Sequence, residues 1–140
     1  MQIHQSAEDY LETILMLTQR MGRVRSIDVV NELGYTKASV SIAMKKLREN
    51  GYIAVDGEGN LTLLEPGREI AERIYSRHRL LTHFFVQLGV DEEVAAEDAC
   101  KAEHILSEQT LEKIRERALE TDSEPVSYTH LRAHETSLHL

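Results

Sequence analysis

One cysteine is the whole thiol complement of this 140-residue chain, and a single thiol cannot close an internal disulfide. Disulfide-stapled secreted scaffolds are thereby excluded, and a cytoplasmic setting is expected. Long apolar runs are equally missing. None approaches the ~20 residues of a bilayer-spanning helix, so no membrane partner is expected. The opening stretch MQIHQSAEDY lacks the basic-then-apolar order of a secretory signal. Enzyme signatures are absent too: there is no HExxH, no nucleophile elbow and no Gly-rich phosphate loop. No catalytic residue is expected. Neither an internal repeat nor a heptad pattern of coiled-coil length occurs.

What remains is the composition of a folded chain, 41% hydrophobic and 29% charged. The length suits one domain or two small modules. A formal net charge of −8 argues against a nucleic-acid partner only until its distribution is read. Before Arg20 there is no Lys or Arg at all. Then Arg20, Arg23, Arg25, Lys37, Lys45, Lys46 and Arg48 stand against only Asp28 and Glu32, and acids dominate from Glu49 onward. A local phosphate-binding surface needs such a basic island. A solvated helix face is the plainer alternative.

Periodicity predicts a first helix from Ala7 to about Met21, with Ser6 as its cap, Asp9 as a capping-box acid, and Leu11, Ile14, Leu15 and Thr18 as its stripe. A short helix, Ser26 to Leu33, is capped by Ser26 and ended by Gly34. Past Gly34-Tyr35-Thr36, a third runs from Lys37 to Asn50. Two short helices around a Gly-containing turn form a helix-turn-helix pattern. On the third helix Val40, Ala43, Met44 and Leu47 make a core face. Ala38, Ser41, Ile42, Lys45 and Lys46 lie opposite, and these small, hydroxyl and basic groups suit a major groove. With Arg25, Thr36, Lys37 and Ser39 they form the expected DNA-binding set. Residues 52–55 and 61–64, around Asp56-Gly57-Glu58-Gly59-Asn60, read as a hairpin. The fold class is all-α with a small β-wing: a winged helix-turn-helix followed by a helical domain.

Pro66 and Gly67 open a fourth helix to about Leu88, with His78 set into a stripe of Ile70, Ile74, Leu81, Phe85 and Leu88. A fifth helix, Asp91 to Leu106, has acids in its first turn, where the helix dipole favours them. A sixth begins near Ser107, and Leu106, Leu111 and Ile114 are expected to meet a second copy of the chain. The expected domains are a winged helix-turn-helix at 1–66 and a helical domain at 67–120. The segment VSYTHLRAHET looks like an in-frame translation of a sequencing adaptor. Residues 126–140 are therefore expected to be a non-native tail, and His130, His134 and His139 carry no weight as ligands.

Cys100, Glu103 and His104 fall at i, i+3 and i+4 on the fifth helix, away from Ala95, Ala99, Ala102, Ile105 and Leu106. Thiolate, carboxylate and imidazole from one turn suit a first-row transition metal. Ordinary exposed polar residues are the bland reading. His78, in an apolar stripe, must find a partner, most simply as a satisfied core histidine. Asp9 and Glu12 are explained as well by a cap and a solvated face.

Taken together, SAEDYLETILML, a winged helix, SRHRLL and DACKAEHILS, in that order and spacing, resemble the diphtheria toxin repressor and manganese transport regulator family (DtxR/MntR). The resemblance covers residues 5 to about 118. The manganese-sensing pattern of that family, carried over by position, implies metal ligands at Asp9, Glu12, His78, Cys100, Glu103 and His104. It departs at Cys100, where the manganese branch has Glu. The iron branch has Cys there but Met in place of Asp9, and Thr82 and Ala96 stand where that branch has an ancillary Glu and His.

The resemblance implies a homodimeric, metal-dependent repressor of metal-uptake genes that binds a pseudo-palindromic double-stranded DNA operator. Mn(II) or Fe(II) is the expected cofactor, and Co(II) or Zn(II) would also bind in vitro. Ligands drawn from both halves would let metal and operator strengthen each other's binding by linkage. The rival reading is a winged-helix repressor that senses a small organic ligand. A metal-dependent hydrolase, the rival from another class, finds no signature.

Overall fold

The computed structural model describes residues 5–122; the expected tail at 126–140 lies outside the described residues. Its backbone divides into two units, residues 1–74 and 75–140, and the division falls inside one long helix.

The first unit begins with α1 (Gln5–Met21), α2 (Ser26–Leu33) and α3 (Lys37–Glu49). Leu11, Ile14 and Leu15 lie fully buried on α1, as their spacing requires, and α1 packs on both α2 and α3. Two expected caps move. Helix α1 already includes Ser6, and α2 is preceded by Arg25, whose backbone N–H donates to Asp28 Oδ2 at 2.9 Å. Gly34 ends α2 at φ 74°, a left-handed conformation that favours glycine. Thr36 caps α3, its Oγ1 accepting from the Ser39 N–H at 3.1 Å. Val40, Met44 and Leu47 face the core as predicted, while Ala43 is half-buried.

The wing is an antiparallel hairpin of β1 (Ile53–Val55) and β2 (Leu61–Leu63), with Ile53 opposite Leu63 and Val55 opposite Leu61. The link after α1 runs beside it: the Leu61 N–H donates to Val24 O at 2.7 Å, and Arg25 bridges to Asn60. Asp56 closes the wing loop. Its Oδ1 accepts from the Glu58 and Asn60 N–H groups at 2.8 and 2.9 Å, and its Oδ2 from Asn60 Nδ2 at 3.0 Å. The Asn60 side-chain bond leads the interactions that hold its carboxyl below the usual carboxylate range.

Helix α4 (Glu65–Gln87) leaves the wing at once, and Gly67 makes this exit possible. A Cβ at Gly67 would fall 2.2 Å from the Tyr52 carbonyl oxygen, so only glycine lets the first turn of α4 approach the hairpin so closely.

The second unit contains the rest of α4, then α5 (Glu92–Ala102) and α6 (Glu108–Asp122). Its core is Leu81, Ala99 and Leu111, with Leu80, Phe85, Ala102, Leu106 and Ile114 packed against them. This overturns the expected use of Leu111: at 1% exposure it is interior to one protomer and is not a dimer surface. Ile105, expected on the apolar side of α5, is 75% exposed. Among the described residues no helix is long and apolar enough to cross a membrane.

Candidate metal centre

Helix α5 stops at Ala102, one turn short of the prediction, so Glu103 and His104 occupy the turn that follows it. Glu103 still keeps right-handed helical dihedrals, φ −60° and ψ −22°, and its N–H donates to Ala99 O at 2.9 Å. The i, i+3 relation between Cys100 and Glu103 therefore survives the end of the helix. Their surroundings differ sharply: Cys100 is exposed, whereas Glu103 has no exposed surface at all.

A carboxylate without water must meet charge or donors. Each oxygen of the Glu103 carboxylate faces an imidazole, with Oε1 within hydrogen-bond distance. Its Oε1 lies 2.9 Å from His78 Nδ1 on α4, and its Oε2 lies 3.5 Å from His104 Nε2. The two imidazole side chains are themselves 20% and 2% exposed. His78, Cys100 and Glu103 can each offer one donor atom within 4.8 Å of the others. Nitrogen, thiolate sulfur and carboxylate oxygen at that separation fit a divalent transition-metal ion. The other expected ligands, Asp9 and Glu12, belong to the first unit, one turn apart on α1, and Glu12 is buried at 5% exposure.

One residue near this cluster escaped the sequence reading. The Arg77 guanidinium donates through Nη1 to the Glu103 carbonyl oxygen at 3.1 Å and through Nη2 to the Glu108 carboxylate. Its only sequence signal is its place beside His78.

The expected DNA-binding residues Arg25, Thr36, Lys37, Ala38, Ser39, Ser41, Ile42, Lys45 and Lys46 are all exposed. No ion pair among the described residues engages Lys37, Lys45 or Lys46. Arg20, by contrast, is drawn to Glu32 at 3.2 Å. Thr36 and Ser39 bond each other through their hydroxyls at 2.9 Å, which leaves Ser41 and Ile42 as the more open groups.

Comparison with known proteins matches each half to a family. Residues 2–61 match the family described as the iron dependent repressor N-terminal DNA binding domain. Residues 64–126 match the iron dependent repressor metal binding and dimerisation domain. An uncharacterised helix-turn-helix transcriptional regulator of Methanocaldococcus jannaschii is 36% identical over 113 residues, covering 79% of this chain and 90% of that protein. The MntR regulator of Lysinibacillus sphaericus is 31% identical over 135 residues, covering 96% of this chain and 97% of its own.

The chain belongs to the iron-dependent repressor (DtxR/MntR) family.

Among solved structures, a manganese-dependent transcriptional repressor in complex with manganese superposes with a TM-score of 0.73 at 28% identity, over 80% of this chain and 52% of that one. The chain thus spans about half the length of that repressor. The family resemblance read from SAEDYLETILML, SRHRLL and DACKAEHILS holds, as does the winged helix-turn-helix architecture. Membership of this family makes the chain a metal-sensing, DNA-binding transcriptional repressor. The described donor cluster lies in the half that matches the metal-binding domain.

Proposed function

We propose that the chain works in the cytoplasm as a homodimer that represses metal-uptake genes when its metal is plentiful. In this reading His78, Cys100, Glu103 and His104 form the centre of the ligand set, and the family resemblance adds Asp9 and Glu12. The supporting observation is the Glu103 carboxylate, devoid of exposed surface and set between two imidazoles beside a thiol. No catalytic residue is assigned.

A bound divalent ion would supply the positive charge that these carboxylate and thiolate donors favour. Cys100 biases the set toward Fe(II), with Co(II) and Zn(II) binding in vitro, whereas the carboxylates and imidazoles also suit Mn(II). The exposed lysines Lys45 and Lys46 meet phosphates, while Ser41 and Ile42 face base edges, Ile42 against a thymine methyl. Two copies related by a two-fold axis read two half-sites, which makes the operator pseudo-palindromic. Within the first unit, Asp9 stands beside Tyr10, whose ring meets Tyr35 edge-on at 5.9 Å, next to the Thr36 cap of α3. This packed contact links the ligand-bearing helix to the recognition helix.

The test is a DNA-binding titration of the metal-free protein, on operator DNA selected from a random pool, with Mn(II), Fe(II), Co(II) and Zn(II) in turn. Metal-stimulated binding that Glu103→Gln abolishes is expected. Tight binding indifferent to all four ions would overturn the reading.

A further inference from the structure

We propose that Arg77 is a positioning residue for the metal centre, holding the Glu103 carboxylate in place through its backbone. The inference rests on the ligand reading given above and adds a residue that touches no metal.

Glu103 and His104 follow the end of α5, so the regular i→i−4 ladder that fixes a mid-helix side chain gives way just where two proposed donors stand. The Glu103 N–H keeps such a bond, to Ala99, and the Leu106 N–H keeps one to Ala102, while the Ile105 N–H turns to the same Ala102 carbonyl at i−3. The Glu103 carbonyl is taken instead by Arg77 Nη1 at 3.1 Å. The other arm of the same guanidinium reaches Glu108, in the first turn of α6. One planar fork therefore joins the turn bearing Glu103 to the start of the following helix. Because Arg77 precedes His78 on α4, the fork also ties that turn to the helix supplying the imidazole on Glu103 Oε1.

The Arg77 side chain is only 14% exposed and its bond to the Glu103 carbonyl is partly buried, which strengthens that bond, whereas the Glu108 carboxylate on its other arm is open to solvent. A flexible lysine cannot reproduce this geometry, since a single ammonium lacks the rigid fork that meets a carbonyl and a carboxylate together. Outer-shell groups of this kind orient ligands, and losing one typically costs between about tenfold and a hundredfold in metal affinity.

The experiment is a Co(II) titration of the full chain, read by competition affinity and by the visible absorption spectrum at saturation. Parent, Arg77→Met, Arg77→Lys and Glu103→Gln are compared, with folding checked by circular dichroism. Arg77→Met is expected to weaken Co(II) binding at least about tenfold and to shift the saturated spectrum toward that of Glu103→Gln, with Arg77→Lys in between. A merely structural arginine would leave the saturated spectrum as in the parent. If Glu103→Gln changes both readouts and Arg77→Met leaves either unchanged, the positioning role is overturned. If Glu103→Gln changes neither, the ligand reading itself fails. Should Arg77→Met not fold, Arg77→Lys takes its place, and no movement of its two readouts overturns the proposal.

Discussion

Glu103 and His78 face each other at 2.9 Å across 25 residues of chain, carboxylate oxygen to ring nitrogen. A carboxylate of zero exposure against a largely buried imidazole is an arrangement that interior packing alone does not favour, because taking an ion out of water costs several kcal/mol. The exposed thiol of Cys100 completes this pair from the outer side.

On the proposed ligand set, metal choice should turn on Cys100 and metal grip on Glu103. Cys100→Glu replaces the soft donor with a hard one, and it is expected to shift activation of DNA binding toward Mn(II) and away from Fe(II) or Co(II). The Co(II) complex of the parent should show a thiolate-to-metal charge-transfer band in the near ultraviolet, and the variant should lack it. Identical Co(II) spectra before and after substitution would remove Cys100 from the ligand set.

On α3, Lys45→Ala combined with Lys46→Ala is expected to weaken binding to all DNA sequences alike. It should also flatten the dependence of log K on log salt by about two phosphate contacts, or roughly 1.8 in slope. Anisotropy titrations across a salt series check this. An unchanged slope would mean that another face of the first unit docks on DNA.

Leu111→Ala tests the corrected assignment of α6. Its side chain fills the core with Leu81 and Ala99, so its truncation should cost ~2–5 kcal/mol of unfolding free energy. The sedimentation coefficient of the folded protein should not change. Ile105→Ser, on an exposed side chain, should stay within about 0.5 kcal/mol of the parent in denaturant melts. A protein that dissociates on Leu111→Ala without losing stability would return this residue to a dimer seam.

Much of this architecture could be read from residue order because its signals are local. Leu11, Ile14 and Leu15 repeat at helical spacing, Gly34 permits a left-handed turn, and the glycine-rich run from Asp56 to Asn60 sits between two short β-prone stretches. Cys100, Glu103 and His104 are legible as candidates by residue type and spacing, whereas His78 enters the expected ligand set only through the family resemblance. The end of α5 is not legible. Nothing in Ala102-Glu103-His104 breaks a helix by propensity, and the turn there is held by Arg77, which lies 26 residues away from Glu103 in sequence. Burial misled in the same place. Ile105 extends the alanine face of α5 in a helical projection, but it falls beyond the point where that projection applies.

The wing loop gives a pH-dependent signature. Hydrogen bonds from Asn60 and Glu58 depress the Asp56 pKa in the folded state. Its contribution to stability is therefore complete above the ordinary carboxylate range, and it is lost as pH falls through the lowered value. The difference in urea midpoint between parent and Asp56→Ala should be largest near roughly pH 6 and should shrink toward roughly pH 3. A difference that grows on acidification would show that Asp56 is not held as the anion.

Helix α5 presents the thiol from its last full turn, and the buried carboxylate comes from the turn beyond. On the ligand set proposed here, these two donors are inherited as separate traits. A single codon change at position 100 can alter which ion is preferred while Glu103 keeps its seat. The choice of ion can thus change at one exposed position without rebuilding the buried part of the site.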